Sequence, residues 1–323
     1  MRAFSCDTCS AALYFENSVC LTCGSSVAYS RAARRLVVLG PDAPPMCANL
    51  NVNGCNWLVD GGAEGYAQGR FCFSCLLTRT RPADSDLVGM AEYFVAESAK
   101  RRLVFELDEL GLPVLVSDGY VGLAFDLLSS AQGPIVTGYL NGVITVDLAE
   151  SDDAHRESLR ISMDEPYRTV LGHFRHEIGH YYGEVLVAGD WVPRFQAVFG
   201  DPVSDYAGAL ARHYAAGTPT GWQEHYISAY ASVHPAEDFA ETFAHFLHIK
   251  DTLQTAAAHG VGVTAEDLTQ PFLEQVSGSW LPLTAGLNQI NRSMGKADLY
   301  PFVLSPAVLA KLAFVAELVM SRS

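Results

Sequence analysis

All eight cysteines of this 323-residue chain fall between positions 6 and 75. No other feature restricts the fold as strongly. Cys6 and Cys9 form one Cys-x-x-Cys pair, and Cys20 and Cys23 form a second, with ten residues between the pairs. Each pair turns tightly enough to present two thiolates to one ion. Two pairs complete a closed tetrahedral shell of the kind zinc takes. Cys47, Cys55, Cys72 and Cys75 supply a second set of four, in which only Cys72–Cys75 has the tight spacing. The first residues, Met1 to Cys6, lack the apolar stretch of a signal peptide. A cytoplasmic location with reduced thiols is therefore expected, and disulfides are not. A segment this short with few helical signals needs metal to fold. The expectation is a module over residues 1–80 held by two structural zinc ions.

The spacing of the first set is that of a zinc ribbon, and ribbons dock on proteins or nucleic acids. Residues 1–80 hold six arginines against five acids, while the whole chain carries −15. Arg31, Arg34 and Arg35 are the one basic cluster in the ribbon. That is too little positive charge for a dedicated nucleic-acid surface, so a structural or protein-docking role is expected instead.

Beyond Arg81–Asp86, which reads as a linker, a helix is expected to about Leu110, ended by Gly111 and Pro113. Short β-type runs come next, at 113–116, 122–127, 134–140 and 143–148. The last two flank Asn141-Gly142, a type I′ hairpin signal. Helical patterns then dominate. Leu304–Met320, broken by Lys311 and Glu317, reads as an amphipathic closing helix with no membrane span. The fold class is α+β: the ribbon module at 1–80, then a mostly helical domain with a small sheet at 81–323.

The stretch that carries chemistry is His176-Glu177-x-x-His180, preceded by helix-start residues Asp164, Glu165 and Pro166. At about 100° per residue, His176 and His180 lie one turn apart on one face and can grip one ion. Glu177 lies beside them, free to reach a water on that ion. Val170, Phe174, Ile178, Tyr181 and Val185 form the opposite, apolar face. A hydrolytic zinc site needs a third protein ligand and an open position. Downstream, Pro235 opens a helix on which Glu237 and Glu241 share a face opposite Phe239, Phe243 and Phe246. Glu237 is the expected third ligand. Glu241 is expected to accept an imidazole N–H of the histidine pair. His173 is expected behind the ligands or toward substrate, Asp238 in solvent, and His245 and His248 as structural or pocket-lining groups.

Two histidines on one helix and a later Glu-bearing helix resemble the gluzincin metallopeptidases. The form Glu237-x-Phe239-Ala240-Glu241 is similar to the lethal-factor branch, in which a tyrosine seven residues before the ligand stabilises the oxyanion. The resemblance assigns that role to Tyr230. It also implies that an edge strand ahead of the metal helix binds extended peptide, with Val143–Leu148 as the candidate. The whole chain resembles a bacterial family of zinc-binding metallopeptidases with an N-terminal zinc ribbon. The matching stretches are the cysteine pairs, Cys55-Asn56-Trp57, Gly172–Glu177, His234–Glu241, Asn291–Gly295 and Tyr300–Phe302. This resemblance implies a zincin-type domain with one catalytic and two structural Zn²⁺. Peptide or protein is the implied substrate, and Glu177 is the implied general base for a metal-activated water. The alternative is a non-enzymatic zinc-stabilised protein that binds peptides, or a regulator that docks through its ribbon. No membrane partner is expected.

Overall fold

The computed structural model describes residues 1–60, 70–114, 122–162 and 165–322. The chain divides into two compact units, Met1–Phe105 with Leu115–His155, and Glu106–Val114 with Arg156–Ser323.

The first unit opens with two antiparallel two-stranded sheets, β1 (Phe4–Ser5) with β2 (Ala12–Leu13), and β3 (Val27–Ser30) with β4 (Arg35–Val38). Two single-turn helices follow, α1 (Leu50–Asn53), between Cys47 and Cys55, and α2 (Phe73–Leu76), which contains Cys75, and β5 (Thr78–Thr80) comes after them. Phe15, Tyr29, Trp57 and Phe105 interlock at ring separations of 4.7–6.1 Å and form the apolar centre of this unit. Helix α3 runs over Leu87–Glu109, with Leu103 and Leu107 fully buried. Strands β6 (Ala124–Leu128), β7 (Gly138–Leu140) and β8 (Val143–Asp147) join β5 in a four-stranded sheet of order β5-β6-β8-β7. Asn141 and Gly142 both have positive φ, 50° and 81°, as the hairpin between β7 and β8 requires.

The sheet corrects one expectation. The strand expected to receive substrate at an open edge is β8, and it is interior: β6 pairs with it in parallel and β7 in antiparallel register. Over Val143–Thr145 it is paired on both sides, so it presents no open edge there. Of the expected run at 113–116, Leu115 and Val116 lie outside the described residues, and Pro113 and Val114 form no strand.

The second unit is helical. Its elements are α4 (Asp153–Ser162, whose first turn lies in the first unit), α5 (Val170–Leu186), α6 (Trp191–Phe199), α7 (Tyr206–Ala216) and α8 (Pro235–Ala258). Then come α9 (Phe272–Gln275), which passes through a π-helical turn into α10 (Leu281–Ser293), and α11 (Pro306–Met320). Helix α5 begins later than Asp164–Pro166 suggest. Thr169 caps it, its hydroxyl accepting the Gly172 N–H at 2.9 Å. Asp164 lies outside the described residues. Helix α8 starts at Pro235 as expected, capped by the His234 ring, which accepts the Ala236 N–H at 3.1 Å.

Helices α5 and α8 pack closely. Phe174, Ile178 and Tyr181 of α5 and Phe239, Phe243 and Phe246 of α8 are buried, with Phe195, Phe199 and Phe314 around Phe239. Gly179 permits the close approach: a Cβ there would lie 2.8 Å from the Ala240 Cα and 2.9 Å from its carbonyl oxygen. Asp238 is not in solvent. It is 1 % exposed, and the Lys311 ammonium donates to its Oδ2 at 2.6 Å. Lys311, which reads as a polar break in the closing helix, points inward for this reason. Among the described residues no helix is long and apolar enough to cross a membrane.

Candidate metal centres

Three clusters of ligating side chains converge among the described residues: Cys6, Cys9, Cys20 and Cys23; Cys47, Cys55, Cys72 and Cys75; and His176, His180 and Glu237. Each can be tested against the geometry zinc needs. A tetrahedral ion with Zn–S bonds of about 2.3 Å holds its sulfurs about 3.8 Å apart. Cys6 and Cys23 lie at 3.7 Å, Cys9 and Cys20 at 3.6 Å, and Cys55 and Cys72 at 3.5 Å. All eight thiols are free of disulfides. Both tetrads fit zinc.

Their surroundings differ. In the first tetrad the Ser25 hydroxyl and backbone N–H bring the Cys23 thiol down to about 6, so it ionises readily. The second tetrad is wholly buried. There the Cys72 N–H donates to the Cys47 sulfur at 3.3 Å, and the Asn53 amide to the Cys75 sulfur at 3.9 Å. Four thiolates and one Zn²⁺ leave two negative charges, which a buried site must balance. Lys100, Arg101 and Glu97 stand beside it, buried, and together offset one of the two: Lys100 Nζ lies 2.6 Å and Arg101 Nη1 3.8 Å from the Glu97 carboxylate. In the basic cluster, Arg35 pairs with Asp7 at 2.7 Å and the Arg31 guanidinium lies over the Phe73 ring at 3.5 Å.

The third cluster is built by α5 and α8. His176 Nε2 lies 3.2 Å from His180 Nε2, and Glu237 Oε2 lies 3.1 Å and 3.4 Å from those two nitrogens. A tetrahedral ion with bonds of about 2.0–2.1 Å spaces its ligands about 3.3 Å apart. Glu237 is 2 % exposed, and its Oε2 makes no hydrogen bond among the described residues. A buried carboxylate oxygen facing two imidazole nitrogens is an environment that suits a cation. Burial works to raise the Glu237 carboxyl, but His176 and His180 outweigh it and hold the group far below the usual range. His176 Nδ1 and Glu241 Oε1 pair at 2.6 Å. Burial again opposes ionisation of Glu241, and His176 again wins, bringing it down to about 2. Both carboxylates are thus anionic at neutral pH.

The remaining expected residues are all close by. Glu177 is buried and pairs with His173, Nε2 to Oε1 at 3.1 Å, while its Oε2 makes no hydrogen bond among the described residues. His173 therefore meets Glu177. Tyr230 sits in a short 3₁₀ turn with its ring 5.9 Å from that of His176. His245 is buried and pairs with the Tyr300 hydroxyl at 2.8 Å. His248 Nδ1 accepts from Arg175 at 2.7 Å, and Arg175 also pairs with Glu106 and Asp251 at 2.7 Å each. His248, Arg175, Trp280, Tyr300 and Phe302 line a cavity of about 170 Å³.

Sequence reasoning missed Tyr206. Its hydroxyl donates to Glu237 Oε1 at 2.8 Å. It lies 31 residues before Glu237 on a different helix, and no spacing rule links the two.

Two cysteine tetrads and a cluster of two histidines and one carboxylate are ligand sets of the kind zinc takes. The chain belongs to the family described as "Putative zinc-binding metallo-peptidase", whose model matches residues 89–318. A zinc-ribbon domain model matches residues 3–86. Membership supports a peptidase function. Similar proteins of Mycobacterium tuberculosis and Mycobacterium bovis, both described as uncharacterized, are 51% identical over 329 residues, covering 99% of this chain and 95% of each relative. No solved structure matches.

Proposed function

We propose that this protein is a zinc-dependent peptidase, with His176, His180 and Glu237 holding one catalytic ion and the two cysteine tetrads holding structural ones. The observation that supports this most is Glu237 Oε2, buried within 3.4 Å of both imidazole nitrogens, with Glu177 Oε2, which has no hydrogen bond among the described residues, on the next residue after His176. Zinc bound there would supply Lewis-acid activation of a water and of the scissile carbonyl. Glu177 takes the proton of the attacking water on Oε2 and later delivers it to the leaving amine. His173 occupies Oε1 and so fixes which oxygen works. Glu241 orients His176 through Nδ1 and leaves Nε2 for the ion. Tyr230 has a hydroxyl that burial keeps protonated, so it can donate to the developing oxyanion.

The experiment is cleavage of a broad peptide library by the zinc-loaded protein and by Glu177→Gln. The variant should keep its metal and lose at least about 100-fold in rate, the scale of a lost general base. Cleavage that survives in Glu177→Gln contradicts the mechanism. A metal-loaded wild type that cleaves nothing favours a peptide-binding or regulatory protein.

A further inference from the structure

We infer that Tyr206 is a positioning residue that makes Glu237 a ligand through one oxygen only, keeping a coordination place for water. The inference rests on the zinc centre proposed above and adds a group that no spacing rule points to.

A carboxylate can bind zinc through one oxygen or two. Binding through two would occupy the place that hydrolysis needs open. The two oxygens of Glu237 are treated differently. Oε1 accepts the Tyr206 hydroxyl at 2.8 Å. Oε2 has no hydrogen bond among the described residues and lies 3.1 Å and 3.4 Å from the imidazole nitrogens. Tyr206 has one proton, and it is spent on Glu237.

The segment carrying Tyr206 is fixed to the start of α8. Asp205 caps α7 by accepting the Gly208 N–H at 2.9 Å. The Ser204 hydroxyl and the His234 ring pair at 2.9 Å, and the Tyr206 ring packs edge-on against His234 at 5.1 Å. His234 in turn caps the helix bearing Glu237. Tyr206 itself is 41% exposed, and α7 has no buried residue. Packing alone therefore does not account for where its hydroxyl sits.

The test is Tyr206→Phe, which keeps the ring against His234 and removes only the hydroxyl. The third metal is stripped from the full chain while the two cysteine-bound ions stay, and zinc or cobalt(II) is titrated back. Zinc affinity should fall about 10- to 100-fold, the usual cost of losing a group that orients a ligand. The cobalt absorption should weaken toward that of a five-coordinate ion. In a Glu237→Ala background the same substitution should change neither reading. Wild-type affinity and spectrum in Tyr206→Phe would overturn the inference, as would an equal loss in the Glu237→Ala background. A wild type that takes up no third metal would overturn the centre itself as well, a result distinct from both.

Discussion

Gly179→Ala places one methyl group between α5 and α8 and should move the metal ligands apart. The added Cβ would sit 2.8 Å from the Ala240 Cα, 2.9 Å from the Ala240 carbonyl oxygen and 3.2 Å from the Phe243 Cβ. Two of these atoms are backbone and cannot swing away. Carbon atoms rest about 3.5–4.0 Å apart, so the helices must separate locally by about 0.7 Å or more. Helix α5 carries His176 and His180, and α8 carries Glu237 and Glu241. Their ligating atoms, now 3.1–3.4 Å apart, would open toward about 4 Å, beyond what one tetrahedral ion spans. Overpacking costs about 1–3 kcal/mol. Replacing glycine in a helix returns about 1 kcal/mol. The net loss of stability is therefore small, about 0–2 kcal/mol, while zinc affinity at the third site should fall at least about 10-fold. Gly183→Ala is the control. Its Cβ would meet only the Phe239 ring, at 3.4–3.5 Å, which is ordinary contact. That variant should hold zinc normally and gain up to about 1 kcal/mol. Chemical denaturation and chelator competition read both quantities. If Gly179→Ala behaves like Gly183→Ala, the close helix approach does not set the ligand geometry.

Three further outcomes rest on buried charge and on metal. Burial lowers the His245 imidazole to about 4, with the Glu241 charge opposing only in part. The unfolded chain takes up that proton near 6.5, so the contribution is intact above 6.5 and is lost as pH falls toward 4, by about 3 kcal/mol in all. Denaturation midpoints should therefore fall less steeply between pH 6.5 and 4.5 in His245→Gln than in wild type, and parallel curves would refute this. Lys311→Met leaves Asp238 buried without its cation and should cost about 3 kcal/mol in urea denaturation. Adding Asp238→Leu should recover most of that loss, and a double variant as unstable as the single one would contradict the pairing. Cys55→Ser should release one zinc and open the first unit to proteolysis, because the second tetrad is buried and ties α1 and α2 into that unit.

What the sequence disclosed depended on whether the signal was local. Cysteine pairs with two residues between them, histidines four apart and carboxylates four apart reflect turn and helix geometry, and those groups do converge. The β7–β8 hairpin was legible because Asn141-Gly142 takes positive φ at both positions. The place of β8 was not, because its second partner, β6, pairs across residues 129–142 and nothing local encodes parallel order. The start of α5 was misjudged because acidic residues and a proline at 164–166 mimic a helix opening, while the cap is a single Thr169 hydroxyl. Asp238 and Lys311, 73 residues apart, each look like surface charges until both are seen to be buried. Tyr206 was missed for the same reason: one hydrogen bond between separate helices leaves no period in the sequence.

The central claim is that a third ion, on α5 and α8, does the chemistry. Its most direct measurement is peptide cleavage recorded against zinc equivalents bound per chain, starting from metal-free protein and counting by native mass spectrometry. The two tetrads should fill first without activity. Cleavage should appear only with the third equivalent and be absent at every loading in His180→Ala. Full cleavage at two equivalents, or none at three with every peptide offered, would contradict the account.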